Sequence, residues 1–229
     1  IKDWLSSFLS LLFPRCCVVC GRPLAKGEEC ICTVCNINLP RTNYHLRKDN
    51  PVERLFWGQI PLERATSFFF YEKGSDFRLI LHRLKYGGQK EIGAIMGRYM
   101  AAELLSSHFF QGIDVIIPIP LHKKKQQIRG YNQSEWIARG VSAVTGIPID
   151  TESILRKKNT ETQTRKSVFE RRDNVEGIFE LQHPETLAGK HILIVDDVLT
   201  TGSTTLACAS CLVDVEDIRI SILTLAMVE

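Results

Sequence analysis

Two adjacent carboxylates, Asp196 and Asp197, follow the apolar run Ile192-Leu193-Ile194-Val195 and precede Thr200-Thr201-Gly202-Ser203-Thr204. The apolar run reads as a buried parallel strand, so the acids are expected where that strand ends. Ligands of an open α/β sheet bind outside the carboxyl ends of its strands. An ionised carboxylate only accepts hydrogen bonds, which suits the vicinal hydroxyls of a ribose. It can also hold Mg²⁺ through the ion's waters. Thr200, Thr201, Ser203 and Thr204 supply hydroxyl donors, and Gly202 lets the backbone turn and approach an anion closely. A helix starting near Thr204 would aim its free N–H groups and positive dipole end at the loop, where a 5′-phosphate belongs. No G-x-x-x-x-G-K-[ST] is present, and no G-x-G-x-x-G opens a helix. An ordinary hydrophilic turn would need neither adjacent acids nor four hydroxyls around a glycine.

A second strand end carries polar chemistry. Val115-Ile116-Ile117 is followed by Pro118-Ile119-Pro120-Leu121 and His122-Lys123-Lys124-Lys125. Arg129-Gly130-Tyr131-Asn132-Gln133-Ser134 then opens a helix. Backbone amides at this turn could cradle a second anionic group, and the lysines with Arg129 raise the local positive potential. A solvated basic loop is the plainer alternative. Residues 156–175 are dense in Arg, Lys, Thr and Asn, a composition that cannot pack a core, and are predicted to form a mobile surface loop. Lys85, in Lys85-Tyr86-Gly87-Gly88, reads by itself as an exposed cation at a helix C-terminus, where a cation is favoured.

Of the eight cysteines, six lie between Cys16 and Cys35. Cys17-x₂-Cys20 and Cys32-x₂-Cys35 are separated by eleven residues. Two such knuckles let four thiolates complete one tetrahedral structural Zn²⁺ site. Cys16 and Cys30 are spare thiols, either of which could replace a neighbour. Disulfides are the alternative, but the apolar N-terminus lacks a secretory cleavage pattern, and a cytoplasmic protein keeps its thiols reduced. Cys208 and Cys211 share a face of an Ala- and Leu-rich helix and read as core.

Positioning these groups takes an alternating chain. Strands are expected at Thr66–Tyr71, Asp114–Ile119, Ser153–Leu155, Gly177–Leu181 and His191–Val195, with Ile218–Ala226 closing the sheet. Helices are expected at Ser75–Leu84, Glu91–Ser106, Gln133–Val144 and about Ser203–Val213. Strands alternating with helices make an α/β fold with a mainly parallel sheet flanked by helices. Residues 1–45 would form a small N-terminal module of helix and knuckles. Residues 46–65 are expected as a loosely packed linker, and 66–229 as the α/β domain. Trp4, Leu5, Phe8, Leu9 and Leu12 share a helical face. That face would dock on the protein's own core, on a partner groove, or peripherally on the inner face of a membrane. No run is long enough to span a membrane. The net charge of +3 neither demands nor excludes nucleic acid.

The segment 192–204 resembles, without gaps, the phosphoribosyl-pyrophosphate (PRPP) signature of type I phosphoribosyltransferases. The resemblance implies that fold, with Asp196 and Asp197 as the catalytic acids on the ribose. It places Thr200, Thr201, Gly202, Ser203 and Thr204 on the 5′-phosphate and brings Mg²⁺ with PRPP. Pro118-Ile119-Pro120-Leu121 followed by Arg129-Gly130-Tyr131-Asn132-Gln133 resembles the ComF family, as do the double C-x₂-C module, Leu84-Lys85-Tyr86-Gly87-Gly88 and the 156–179 stretch. It implies a pyrophosphate loop at Pro120, Leu121, Arg129, Gly130, Tyr131 and Asn132. It also implies closure by a mobile loop carrying Arg165, Lys166, Arg171 and Arg172, and a ligand role for Lys85. Two functions follow from it. One is a phosphoribosyltransferase of unassigned acceptor. The other is a PRPP- or nucleotide-sensing accessory protein for DNA uptake that binds single-stranded DNA or a competence helicase.

Overall fold

The computed structural model describes residues 14–157 and 177–228. The helix expected at residues 4–13 and the basic residues Arg165, Lys166, Arg171 and Arg172 lie outside the described residues.

The first half of the chain carries α1 (Thr33–Ile37), α2 (Pro51–Arg54), β1 (Leu62–Tyr71), α3 (Arg78–Tyr86), α4 (Glu91–Leu104) and β2 (Val115–Pro118). Then come α5 (Lys123–Arg129), α6 (Gln133–Thr145), β3 (Ile154–Arg156), β4 (Phe179–Leu181), β5 (His191–Leu199), α7 (Ser203–Ser210) and β6 (Arg219–Val228). Strands β1, β6, β5 and β2, in that spatial order, form one parallel sheet. Parallel neighbours need long crossovers, and the helices supply them on both faces. Leu84, Met96, Met100, Ile137 and Val141 bury one face of the sheet against Leu193, Val195 and Leu223. Ala207, Cys208 and Leu212 of the α7 segment, with Ile154 and Phe179, bury the other against Ile192, Ile194, Ile220 and Ile222. The expected α/β class with its parallel sheet is therefore what the chain adopts.

Some expectations change. Strand β6 does not close the sheet at an edge but lies between β1 and β5, as suits a run in which Ile220, Ile222, Leu223, Leu225 and Ala226 are all fully buried. Strands β3 and β4 pair only with each other, antiparallel, in a separate small sheet. Part of the expected basic loop is helical, because His122 Nδ1 accepts from the Lys124 N–H and caps α5.

The stretch expected to be loosely packed is folded. Asn50 and Glu53 form a reciprocal capping box with Pro51 at the first helical turn, a signal legible in Asn-Pro-Val-Glu. Val52 and Phe56, one turn apart, are fully buried. Asn50 Nδ2 donates to the Ala65 carbonyl at 2.9 Å, and Glu53 pairs with Arg64 at 3.0 Å. The polar residues that suggested a linker are the caps of a short helix held against β1.

The cysteine-rich segment is laced onto the same core. Val18, Ile31 and Leu39 pack in one cluster with Phe68 and Phe69 of β1. Arg41 pairs with Glu103 at 2.6 Å, Arg98 pairs with Glu29, and Phe70 N–H donates to the Pro40 carbonyl.

Helices α4 and α6 cross at backbone contact. A Cβ on Gly140 would lie 2.1 Å from the Ala94 carbonyl oxygen, and one on Gly97 would lie 2.3 Å from that of Ile137. Backbone cannot yield as a flexible side chain does. Gly140→Ala is therefore expected to destabilise the protein by about 1–3 kcal/mol or more, despite alanine's better helix propensity. Urea unfolding measures this, and a variant as stable as the parent would contradict the crossing.

Candidate functional site at the carboxyl edge

The chain leaving β2 turns outward to Ile149, which bridges Ile116, whereas the chain leaving β5 turns the opposite way into β6. The two connections part between β2 and β5. That is a topological switch point, where open α/β sheets leave a ligand crevice.

Strand β5 does not stop at Val195. It stays paired to β6 through Leu199, opposite Met227, while β2 ends at Pro118 opposite Val195. The acids thus sit inside a strand, yet on its stretch without a β2 neighbour. Consecutive strand side chains point to opposite faces, so the two carboxylates have different surroundings. Asp196 Oδ1 accepts from Ser134 Oγ at 3.0 Å and from the Asp197 N–H at 2.8 Å. Asp197 Oδ2 meets Lys85 Nζ at 3.0 Å.

Burial first, and then the charge of Asp197, push the Asp196 carboxyl up from 3.8 to about 7, against the hydrogen bonds from Asp197 and Ser134 and the charge of Lys85. The folded state therefore holds this proton more tightly than the unfolded chain. The stabilising contribution is complete below about pH 4 and is lost as pH rises through about 7. Asp196→Asn is expected to remove that part of the pH dependence. Unfolding free energies measured across pH 4–8 should then fall less steeply with pH in the variant than in the parent; parallel curves would contradict the assignment.

Hydrogen bonds tie three sequence-distant segments together here. Tyr131 Oη donates to the Leu84 carbonyl at 2.5 Å, beside Lys85. Asn132 Nδ2 donates to the Ile119 carbonyl at 3.0 Å, and its side-chain oxygen caps α6 by accepting from the Ser134 N–H. The Tyr131 and Asn132 side chains are buried, and these hydrogen bonds hold the turn against the end of α3 and against Ile119. Gly130, with φ near 80°, ends α5 in the left-handed region. Pro120 and Leu121 are half-buried just beyond β2. Arg129 donates to Gln133 Oε1 at 2.7 Å and lies over the Tyr86 ring.

Positive charge converges on the same crevice. Burial, followed by the charges of Arg156, Arg129 and Lys85, lowers the affinity of the Lys125 ammonium for its proton. Arg156 in turn feels the charge of Asp196. Four cations thus gather beside two acids, an arrangement able to hold an anion next to a hydroxyl-bearing group.

The hydroxyl loop follows directly. Gly202 has φ near 75° and is the N-cap of α7, with no side-chain cap on the first N–H groups. A Cβ there would also come within 3.3 Å of the Phe56 ring. Thr200, Thr201 and Thr204 are exposed, and Thr201 and Ser203 hydroxyls lie 2.8 Å apart. Three residues contribute in ways that their sequence positions do not show. Phe56 lay in the supposed linker, Ser134 sits two residues past an N-cap Asn, and Arg156 lies on a short strand far away in sequence.

The cysteines form a second centre. All eight thiols are free. The sulfurs of Cys17, Cys20, Cys32 and Cys35 lie within 4.8 Å of one another. Cys20 and Cys32 sulfurs are 3.7 Å apart, close to the edge of roughly 3.8 Å for a tetrahedron with 2.3 Å metal–sulfur bonds. Although burial opposes it, hydrogen bonds from Cys20, Cys32 and Val19 lower the Cys17 thiol to about 7. Cys30 is buried and pushed up to about 12, chiefly by that burial, and Cys16 is exposed with its sulfur facing the Pro14 carbonyl. Cys208 is fully buried in the α7 core, as expected.

The sheet, its switch-point crevice and the attached cysteine cluster define an α/β protein with a candidate site on its carboxyl edge and a four-thiol module. No family model matches the chain. It is 33% identical over 209 residues to the DNA utilization protein YhgH of Escherichia coli O157:H7, covering 85% of this chain and 88% of that protein. Competence protein F of Haemophilus influenzae is 32% identical over 130 residues, 55% of this chain and 57% of that protein. Competence protein ComFC of Bacillus subtilis is 26% identical over 216 residues, 92% of this chain and 83% of that protein. The chain belongs to the ComF family.

Among solved structures, a glutamine PRPP amidotransferase from B. subtilis, complexed with ADP and GMP, is 20% identical with a TM-score of 0.36. It covers 59% of this chain, which spans 26% of that one. Adenine phosphoribosyltransferase from Leishmania tarentolae is 12% identical with a TM-score of 0.37, covering 82% of this chain and 94% of that one.

Proposed function

We propose that the chain binds PRPP, or a closely related ribose phosphate, in the crevice between β2 and β5, and that it serves DNA utilization as the names of its relatives suggest. The observation that carries the reading is the pairing of Asp196 and Asp197 at the switch point with a left-handed Gly202 loop opening α7. The ribose hydroxyls are assigned to the two acids, and the 5′-phosphate to residues 200–204 and the uncapped N–H groups of α7. The pyrophosphate goes to the basic group of Lys85, Lys125, Arg129 and Arg156. Mg²⁺ would accompany the pyrophosphate and neutralise part of its charge.

Transfer is the enzymatic form of this reading. The bond from ribose C1 to the pyrophosphate oxygen breaks, pyrophosphate leaves with the electron pair, and an acceptor nucleophile bonds to C1. The acids oppose the positive charge that grows on the ribose ring, and the basic group opposes the negative charge of the leaving pyrophosphate. Zn²⁺ is proposed for Cys17, Cys20, Cys32 and Cys35 as a structural ion, consistent with four thiolates and no open position. No helix among the described residues is long and apolar enough to cross a membrane.

Calorimetry with PRPP and Mg²⁺ tests binding, and pyrophosphate release with a panel of bases and amines tests transfer. Release with any acceptor establishes an enzyme; binding without release by any of them leaves a PRPP sensor. A salt-dependent mobility shift of single-stranded DNA tests the DNA role.

A further inference from the structure

On the α3 side of the sheet, a cleft of about 630 Å³ opens at the carboxyl ends of β1, β5 and β6. It is lined by Tyr71, Leu79, Leu81, Tyr86, Val198 and Val228, and by the basic groups of Lys73, Arg78, His82 and Lys85. It adjoins the carboxyl-edge site directly. Lys85, which pairs with Asp197, is one of its walls, and Thr200 of the hydroxyl loop is another.

Three properties of the cleft select a ligand. Its volume lies within the range of small-molecule sites and exceeds what a single heterocycle fills. Its wall carries two neighbouring rings: His82 and Tyr86 are 5.3 Å apart, Tyr86 is 68% exposed, and the Arg129 guanidinium lies over the Tyr86 ring. Among the described residues its lining holds no carboxylate, while lysine, arginine and histidine are present. An apolar floor with an aromatic wall and a basic rim is complementary to a planar ring that carries negative charge.

We propose that this cleft binds a heteroaromatic anion up to the size of a nucleoside monophosphate. On the PRPP reading, this would be the compound brought up to the ribose. The claim of binding stands on the cleft itself; only the meeting with the ribose rests on that reading.

The experiment is calorimetry on the full chain with AMP and with orotate, on the parent and on Tyr86→Ala and Arg78→Ala. Both side chains are exposed, so both variants are expected to fold with unchanged melting temperature. Each substitution should weaken AMP and orotate by about tenfold, while PRPP affinity stays constant within about twofold in Arg78→Ala, whose side chain donates to the Lys73 carbonyl. If PRPP fails to bind and the aromatic anions still respond to both substitutions, the ribose-phosphate reading falls and the cleft assignment stands. If PRPP binds and the aromatic anions do not, or bind with no response to either substitution, the cleft assignment is overturned. Binding of oligo(dT) that tracks both substitutions, with none of AMP or orotate, also overturns it and gives the cleft to a strand.

Discussion

Replacing Asp196 and Asp197 together by asparagine is expected to weaken PRPP binding by about a hundredfold or more, with the fold intact. A hydrogen bond to a charged acceptor contributes about 1.5–3 kcal/mol. At about pH 8, above the Asp196 value of about 7, both acids are available as charged acceptors; losing one bond to each removes about 3 kcal/mol, and each 1.4 kcal/mol is a factor of about ten. The fold should tolerate the change for reasons particular to each site. Burial and its neighbour's charge already hold Asp196 toward its neutral form, so an amide there removes an unfavourable charge. Asparagine can still accept from Ser134 and from the residue 197 N–H. At position 197 the loss is the largely buried pair with Lys85, which costs about 1–3 kcal/mol and leaves Lys85 without that partner. Calorimetry with PRPP and Mg²⁺ reads the first effect and thermal melting the second. Undiminished affinity in a folded variant would refute the assignment of these acids to the ribose.

Removing the metal should have the largest effect on stability. The purified chain is expected to carry about one Zn²⁺, and Cys17→Ser with Cys20→Ser to carry almost none. Apparent binding free energies of structural zinc are of order 10 kcal/mol, and they become folding free energy when the site exists only in the native state. Here the consequence would not stay local. Cys17, Cys32 and Cys35 are buried in the same hydrophobic cluster as Phe68 and Phe69 of β1, and the module is bolted to α4 through Arg41–Glu103 and Arg98–Glu29. A loss of several kcal/mol in a chain of this size lowers the melting temperature by about 10 °C or more. Cys16→Ser, at an exposed position outside the cluster, should keep both the metal and the melting temperature. Elemental analysis and melting curves decide this. Full zinc content in the double variant would remove Cys17 and Cys20 from the ligand set.

Much of this architecture is legible in the sequence. The unbroken apolar runs at 115–119 and 192–195, and the mostly apolar stretch 218–226 with Arg219, Ser221 and Thr224 interspersed, mark strands of the parallel sheet. Spacing alone grouped the four cysteines whose sulfurs come together. The end of β5 is not legible in the sequence, because two charges look like the end of a strand. Whether a strand ends depends on its neighbours, and β6 continues beside the acids after β2 has stopped. Residues 46–65 look like a linker by composition, yet the capping box of Asn50 and Glu53 consumes their polarity and frees Val52 and Phe56 for burial.

The segment 192–204 alone determines that carboxylates, hydroxyls and a glycine turn follow one another after a buried strand, since those are properties of consecutive residues. It does not determine what faces them. Only the tertiary structure brings Ser134 to Asp196, Lys85 to Asp197 and the Phe56 ring under Gly202, and sets an aromatic, basic cleft behind Lys85. The physical reason is range. Spacing in the chain fixes groups that share one strand or turn. The protonation of an acid and the walls of a cleft depend on side chains that are brought close only when the helices close over both faces of the sheet.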